Sequence, residues 1–325
     1  MTGRRLGFAV KVLGAGGLAS HDTRRWQSSP HLRVSLERLG AILDYLDRNQ
    51  IRMYRLASAL APYASHPQLP RFHNQVAECA AELAAVGARA RRTGVRLGTH
   101  PGQYTVLNSE RPEVRAAAIA ELEVQAAVLD AMGLSAEAVV VVHAGGGAGG
   151  LAAASDRFVA GFEALGERAR ARLVIENDDR TFGLADVLEL SARTGAPVVW
   201  DVLHHHCHDP EGIPDREALA AALATWPGGT VPKVHYSSPR LDIGERRRRV
   251  GRRVERRPAL PALRAHADLV DPLAFKSFLR ESADAGEFDV MLEAKGKDLA
   301  LLHLREQLTA RGLRSEAGRI EVPRG

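Results

Sequence analysis

Short apolar runs alternate along the chain with longer stretches of helical periodicity. Residues 5–10 read as a first strand, followed by runs at 53–56, 95–99, 138–142, 173–175, 197–200, 231–236 and 288–292. Between the first two, Leu32, Leu36, Leu39, Ile42, Leu43 and Leu46 recur at the spacing of an amphipathic helix over residues 31–49. Further helices are expected at 74–93, 112–132, 155–170, 184–193, 216–225, 271–283 and 297–311. Pro112 falls in a first turn, where its missing N–H costs nothing. Most of the strand-like runs are nearly all apolar, which is the pattern of a parallel sheet covered on both faces. Eight strand–helix units over 325 residues predict a closed (β/α)8 TIM barrel. The expected organisation is a single domain over 1–315, a basic loop insertion at about 240–264 after strand seven, and a tail at 316–325.

Gly14-Ala15-Gly16-Gly17-Leu18-Ala19 fits a dinucleotide-binding glycine pattern, but residues 21–30 after it are polar and turn-rich. No helix starts there to receive a pyrophosphate, and that reading fails. A hydrophobic content of 45% suffices for a substantial core. No apolar run approaches the ~18 residues of a membrane span, and the N-terminal apolar stretch is too short for a signal peptide. Two cysteines, Cys79 and Cys207, make no disulfide framework, so a reducing cytoplasm is the expected setting.

Charge changes the picture at one place. Residues 245–257 hold eight arginines and two glutamates, a local +6 against +5 for the whole chain, so the remainder is close to neutral. The arginines Arg246, Arg247, Arg248, Arg249, Arg252, Arg253, Arg256 and Arg257 suggest a solvated, partly disordered loop that meets a polyanion.

The ends of the strands carry the candidate chemistry. In a parallel barrel every strand C-terminus opens on one face, where active sites of this architecture lie. His66, His100, His143, Glu176, Asp201, His235 and Glu293 stand at or just beyond such ends, with His204 and His266 in adjoining loops. Any one of these histidines has an ordinary structural reading, and Asp201 alone could be a turn or helix-capping residue. Convergence of all of them on one face points instead to a metal site. They are too many for one ion, which takes about four to six ligands, so two or three ions are expected, with Glu176 and Asp201 as bridges. Imidazole and carboxylate together suit zinc, manganese or iron(II). Clustered divalent ions suit phosphodiester hydrolysis, and the arginine segment wants phosphate too.

Taken with these residues, the chain resembles the UV damage endonuclease family. The matching motifs are Ala64-Ser65-His66-Pro67, His100-Pro101-Gly102-Gln103-Tyr104, Val142-His143-Ala144-Gly145-Gly146 and Glu176-Asn177-Asp178-Asp179. Asp201-Val202-Leu203-His204-His205, Pro232-Lys233-Val234-His235-Tyr236-Ser237-Ser238, His266-Ala267-Asp268 and Asp289-Val290-Met291-Leu292-Glu293-Ala294-Lys295 follow in family order. The resemblance implies a metal-dependent TIM-barrel nuclease that cuts the damaged strand immediately 5′ of cyclobutane pyrimidine dimers and 6-4 photoproducts, leaving a 3′-hydroxyl. It implies a divalent cluster, manganese first with zinc or magnesium as alternatives, held by His100, His143, Glu176, Asp201, His204, His235, His266 and Glu293. Lys233 matches a family lysine that can be carboxylated, and His66 is assigned with it to the catalytic group.

Gln103 and Tyr104 resemble the pair that enters the duplex at the lesion, where an aromatic and an amide replace lost stacking. Phe8 is grouped with them as DNA-facing, although some relatives carry Tyr there with an Asn nearby, where this chain has Lys11-Val12. The implied partner is UV-damaged duplex DNA lying across the mouth of a monomer, with no membrane. Other readings are an endonuclease IV-like abasic-site enzyme, another metal-dependent TIM-barrel enzyme such as a sugar isomerase, and a non-catalytic DNA-binding protein with structural metal.

Overall fold

In the computed structural model, which describes residues 3–251 and 253–321, eight parallel strands follow one another around a ring. They are β1 (Gly3–Ala9), β2 (Met53–Arg55), β3 (Arg96–Gly98), β4 (Val140–His143), β5 (Leu173–Glu176), β6 (Val198–Val199), β7 (Lys233–Tyr236) and β10 (Asp289–Leu292). Strands β8 (Gly244–Val250) and β9 (Arg253–Ala259) lie in the insertion after β7, and β11 (Ser315–Glu316) and β12 (Arg319–Glu321) follow the last helix. Gly7 pairs with Met53, Met53 with Arg96, His143 with Glu176, and Met291 with His235. Leu6 beside Val290 joins the first barrel strand to the last, and single parallel bridges, Thr99–Val140 and Asp201–His235, complete the circuit. The protein is a TIM barrel.

Local sequence explains where its helices begin and stop. Helix Leu32–Arg48 buries Leu32, Leu36, Leu39, Ile42, Leu43 and Leu46, the stripe read from the sequence. Helix Ala80–Thr93 ends on Gly94 in the left-handed conformation, which a glycine adopts without a Cβ clash. Asp271 accepts from the backbone N–H of Leu273 and Ala274 and thereby caps helix Pro272–Glu281. The helix expected over 155–170 is two, Leu151–Glu163 and Glu167–Arg172, broken where Gly166 donates its N–H to Glu123 Oε1 at 2.6 Å. The helix expected over 74–93 is likewise divided, with a short first piece at Gln75–Glu78.

Side-chain alternation separates two layers. Val140, Val142, Leu173, Ile175 and Val198 face the helices, whereas Val139, Val141, Val174 and Val199 pack with Trp226 in a separate inner cluster. Nearer the strand starts, inward positions are polar: Asp289 is fully buried and receives Arg5 Nε and Arg96 Nη1, each at 2.8 Å. This network closes the floor of the barrel and leaves the opposite end for chemistry.

Three expectations are corrected. Residues 316–321 are not a tail, because β12 pairs antiparallel with Gly3–Arg5 of β1 and buries Ile320. The basic insertion is not a loop but an antiparallel hairpin of β8 and β9, while Arg252 lies outside the described residues. Phe8 is no DNA contact: it is fully buried, edge-on to Tyr54 with ring centroids 5.3 Å apart, because its place in the alternation turns it towards the helices.

Candidate metal centre

The period of two along each strand that fills the barrel also builds the site. Two positions beyond inward-facing Val141 stands His143; beyond Val174, Glu176; beyond Val199, Asp201; beyond Lys233, His235; beyond Met291, Glu293. Beyond Gly98 on the same count stands His100, and beyond Met53, Arg55. Polar side chains thus stand at the last inward position of seven of the eight barrel strands, β1 ending instead on Ala9.

Glu176 is the centre of this ring. Its buried carboxylate lies 2.7 Å from His235 Nδ1 through Oε1, and 2.9 Å from His100 Nε2 through Oε2. His143 Nε2 is 3.6 Å and His204 Nδ1 is 3.7 Å from the same carboxylate. Two groups of ligand atoms, each within 4.8 Å of one another, share it: His100–His143–Glu176 and Glu176–Asp201–His235–Glu293. The imidazoles of His235, His100, His143, His204 and His266 form an arc, with successive centroids 6.1, 5.2, 5.6 and 5.9 Å apart.

The donor set suits divalent cations, and two features support that use. Asp201 Oδ2 and His143 Nδ1 are buried without a hydrogen-bond partner, which is costly for groups with nothing to bind. In addition, His100, His204 and His266 direct Nδ1 at the carbonyl oxygens of Pro101, Asn177 and Glu293, at 3.1, 3.0 and 2.8 Å. An imidazole whose Nδ1–H is given to a backbone carbonyl presents Nε2 as an oriented ligand. Asn177 also accepts from Asp201 N at 2.8 Å and donates Nδ2 to Asp201 O at 3.1 Å, so one side chain ties the ends of β5 and β6 together. Asp201 Oδ1 in turn caps the short helix Val202–Cys207 through His204 N, which places His204 over the ring. The next two histidines turn away, His205 to Ile213 O and His206 to Asp215.

Burial and charge set the protonation states. Burial disfavours ionised Glu176, but His235 and His143 outweigh it and hold the carboxyl well below its ordinary pKa. Asp201 moves the other way: burial, then the nearby Glu176 and Glu293, raise it. Burial lowers both His100 and His235. It opposes protonation of His204 as well, yet Asp201, Glu176 and Glu293 overcome it and lift that imidazole to about 9. Lys233, one inward position below His235, has its charge strongly disfavoured by burial and then by Arg96 and Arg55.

Arg55 was not singled out from the sequence. Its guanidinium pairs with Glu293 and lies 3.1 Å from His235 Nε2, placing a fixed positive charge among the carboxylates. The available signal was a lone arginine at the inward end of the otherwise apolar run 53–56. His66, His204 and His266 belong to neither ligand group among the described residues. His204 and His266 continue the arc of imidazoles, whereas His66 stands apart, its Nδ1 accepting from Gln68 N and its ring meeting Tyr63. Gln103 and Tyr104 are exposed just beyond His100, with Tyr104 84% accessible. The arginine hairpin springs from the same rim, since Pro239 bridges to His266 and Arg240 N donates to Ala265 O at its base.

Residues 32–321 match the family described as UV-endonuclease UvdE. The chain belongs to that family. A UV DNA damage endonuclease of Bacillus cereus (strain B4264) is 31% identical over 290 residues, covering 88% of this chain and 85% of its own. One from Bacillus mycoides (strain KBAB4) is 30% identical over 324 residues, covering 92% and 96%. Among solved structures, SacUVDE superposes with a TM-score of 0.79 at 30% identity, over 95% of this chain and 99% of its own. A D-psicose 3-epimerase from Clostridium cellulolyticum H10 reaches a TM-score of 0.52 at 11% identity, over 89% and 84%, a likeness of fold alone. The UvdE chain is therefore an endonuclease of UV-damage repair, and DNA is its substrate. None of its described helices is long and apolar enough to cross a membrane.

Proposed function

We propose that this UvdE chain is a metal-dependent endonuclease that incises the damaged strand immediately 5′ of cyclobutane pyrimidine dimers and 6-4 photoproducts, leaving a 3′-hydroxyl. The carrying observation is the buried Glu176 carboxylate shared by the two ligand groups at the barrel mouth. Two or three divalent ions, manganese foremost, would be held by His100, His143, Glu176, Asp201, His204, His235, His266 and Glu293. Held there, such ions would supply activation of water and stabilisation of charge on the phosphodiester oxygens. The chain's own residues orient the ligands: Asn177 fixes Asp201 and His204, while Pro101 O and Glu293 O fix His100 and His266. Lys233 supplies a buried amine whose low basicity fits carboxylation, whereas a phosphate contact would need its charged form. His66 stands apart from the arc of imidazoles, against Tyr63 and with Nδ1 taken by Gln68 N, which fits a phosphate contact better than direct ligation.

Exposed Tyr104 and Gln103 act at the lesion, where a poorly stacked crosslinked dinucleotide is cheaper to extrude than normal bases. The protein works as a cytoplasmic monomer with the duplex across its mouth. The test is an end-labelled duplex with one cyclobutane dimer, beside undamaged and abasic duplexes, incubated with manganese or EDTA. A manganese-dependent nick directly 5′ of the dimer alone is expected. Cutting only at the abasic site would assign the neighbouring repair activity, and no cutting by metal-loaded protein would overturn the proposal.

A further inference from the structure

The register of the β8–β9 hairpin sorts its arginines onto two faces. Residues directly opposite in an antiparallel pair share a face, and successive residues alternate. Arg246 opposes Arg257, Arg248 opposes Glu255, and Val250 opposes Arg253, which sets Arg246, Arg248, Arg253 and Arg257 on one face. Arg247 opposes Arg256 and Arg249 opposes Val254, which sets Arg247, Arg249 and Arg256 on the other. Side-chain contacts agree: Glu245 lies 2.9 Å from Arg247 and 3.6 Å from Arg256, while Glu255 lies 3.3 Å from Arg257. Arg246, Arg248, Arg249 and Arg253 have no acidic partner among the described residues.

The ribbon is poorly supported by itself. Among the described residues it pairs with no other strand, its arginines are exposed, and two cross-strand positions set arginine against arginine. An isolated two-stranded ribbon is marginal, and like charges directly opposite destabilise it further. Glu245 bridges the Arg247–Arg256 pair, but each face still carries arginine without an acidic partner among the described residues, Arg246, Arg248 and Arg253 on one and Arg249 on the other. A polyanion on one face only would leave charge unmet on the other. A flat phosphate surface, whether one DNA strand or a lipid bilayer, offers only that. A groove with phosphates on both walls meets both faces together. The minor groove, about 6 Å wide, is too narrow for a ribbon with side chains on both faces, whereas the major groove, about 12 Å wide, admits a two-stranded ribbon. Strands of seven residues reach roughly 24 Å. Because the base is clamped beside His266, the arm extends from the rim of the metal centre itself.

We propose that the hairpin stands in the major groove of the bound duplex, its two arginine faces turned to opposite phosphate walls. The inference rests on the DNA-nuclease reading and adds a grip on the duplex away from the scissile bond. Each face should contribute separately to counterion release, at about 0.9 in the salt slope per phosphate contact.

The test measures binding of the full chain to an undamaged duplex by fluorescence anisotropy across a range of KCl concentrations. Wild type is compared with R246Q/R248Q/R253Q/R257Q, with R247Q/R249Q/R256Q, and with both sets combined, after equal melting temperatures show the barrel intact. Each face variant should lower the slope of log K against log salt by about two to four, with the combined variant losing about the sum. Dimethyl sulfate should also find guanine N7 atoms in the major groove protected by wild type and exposed with the combined variant. A slope that responds to one face only, or N7 atoms that are never protected, would overturn the groove placement. Unchanged DNA binding by the combined variant would overturn it too, including the case where wild type alone binds phosphatidylglycerol vesicles. If wild type nicks the dimer 5′ while any of these holds, the functional reading survives without this inference. If wild type neither binds nor nicks any duplex, the functional reading itself has failed.

Discussion

His235 Nδ1 and Glu176 Oε1 lie 2.7 Å apart, both fully buried, at the centre of a ring that draws one polar side chain from each of several strand ends. The contact fixes a carboxylate between two groups of potential metal ligands. Glu176→Gln retains the shape but loses the charge both groups share. We expect it to lose bound metal, measured by atomic emission, and to lower nicking of a dimer-containing duplex by orders of magnitude, with DNA binding retained. Near-normal turnover with full metal content would remove Glu176 from the centre.

Metal uptake should release a proton from His204. Without metal its pKa is about 9, above the ordinary value of about 6.5, so at pH 7 it carries a proton that ligation must displace. Its contribution to the stability of the metal-free fold is complete below about 6.5 and is lost as pH rises through about 9. Manganese affinity should therefore increase between pH 7 and 9. Calorimetry in buffers of different ionisation enthalpy should count the released proton, and His204→Asn should abolish that component. The same proton count in both proteins would exclude ligation by His204.

Asp289 carries stability rather than catalysis. It is fully buried between Arg5 and Arg96, and Asp289→Ala removes the carboxylate they share, leaving Arg5 with Glu137 and Arg96 with the carbonyls of Glu137 and Val231. Breaking one side of such a buried network costs about 3–5 kcal/mol. Urea denaturation should show a loss of that size, with specific activity of the remaining folded protein largely kept. A loss below about 1 kcal/mol would mean water already reaches the floor.

Tyr104, by contrast, is nearly free of the fold. Tyr104→Ala should leave the melting temperature and metal content unchanged. Stacking on an aromatic is worth about 1–3 kcal/mol per base, so preference for dimer-containing over undamaged duplex should fall about tenfold. Competition binding measures the ratio, and an unchanged preference would place lesion recognition elsewhere.

The barrel was legible because its strands are buried on both faces and so read as unbroken apolar runs between amphipathic helices. His100, His143, Glu176, Asp201, His235 and Glu293 were legible for the same reason, as polar residues ending apolar strands. Arg55 escaped notice because its role depends on Glu293, which is 238 residues away and becomes a neighbour only when the ring closes. Phe8 was misplaced because one step in register decides whether a side chain faces the bowl or the helices. The arginine segment hid its strands because charge repetition masks the period of two, and residues 315–321 are too short to announce a strand without their partner in β1.

That last pairing bears on how the chain reaches its fold. β1 is the first barrel strand along the chain, yet it is completed by β10 and β12, about 280 and more positions later. Arg319 Nη1 bonds Gly3 O across 316 positions. Ring closure thus joins the two ends of the described barrel and carries a loop-closure entropy that the local helices avoid. While the chain emerges from the ribosome, the apolar first strand must wait without its final neighbours, and this interval is when the molecule is most exposed to misassembly.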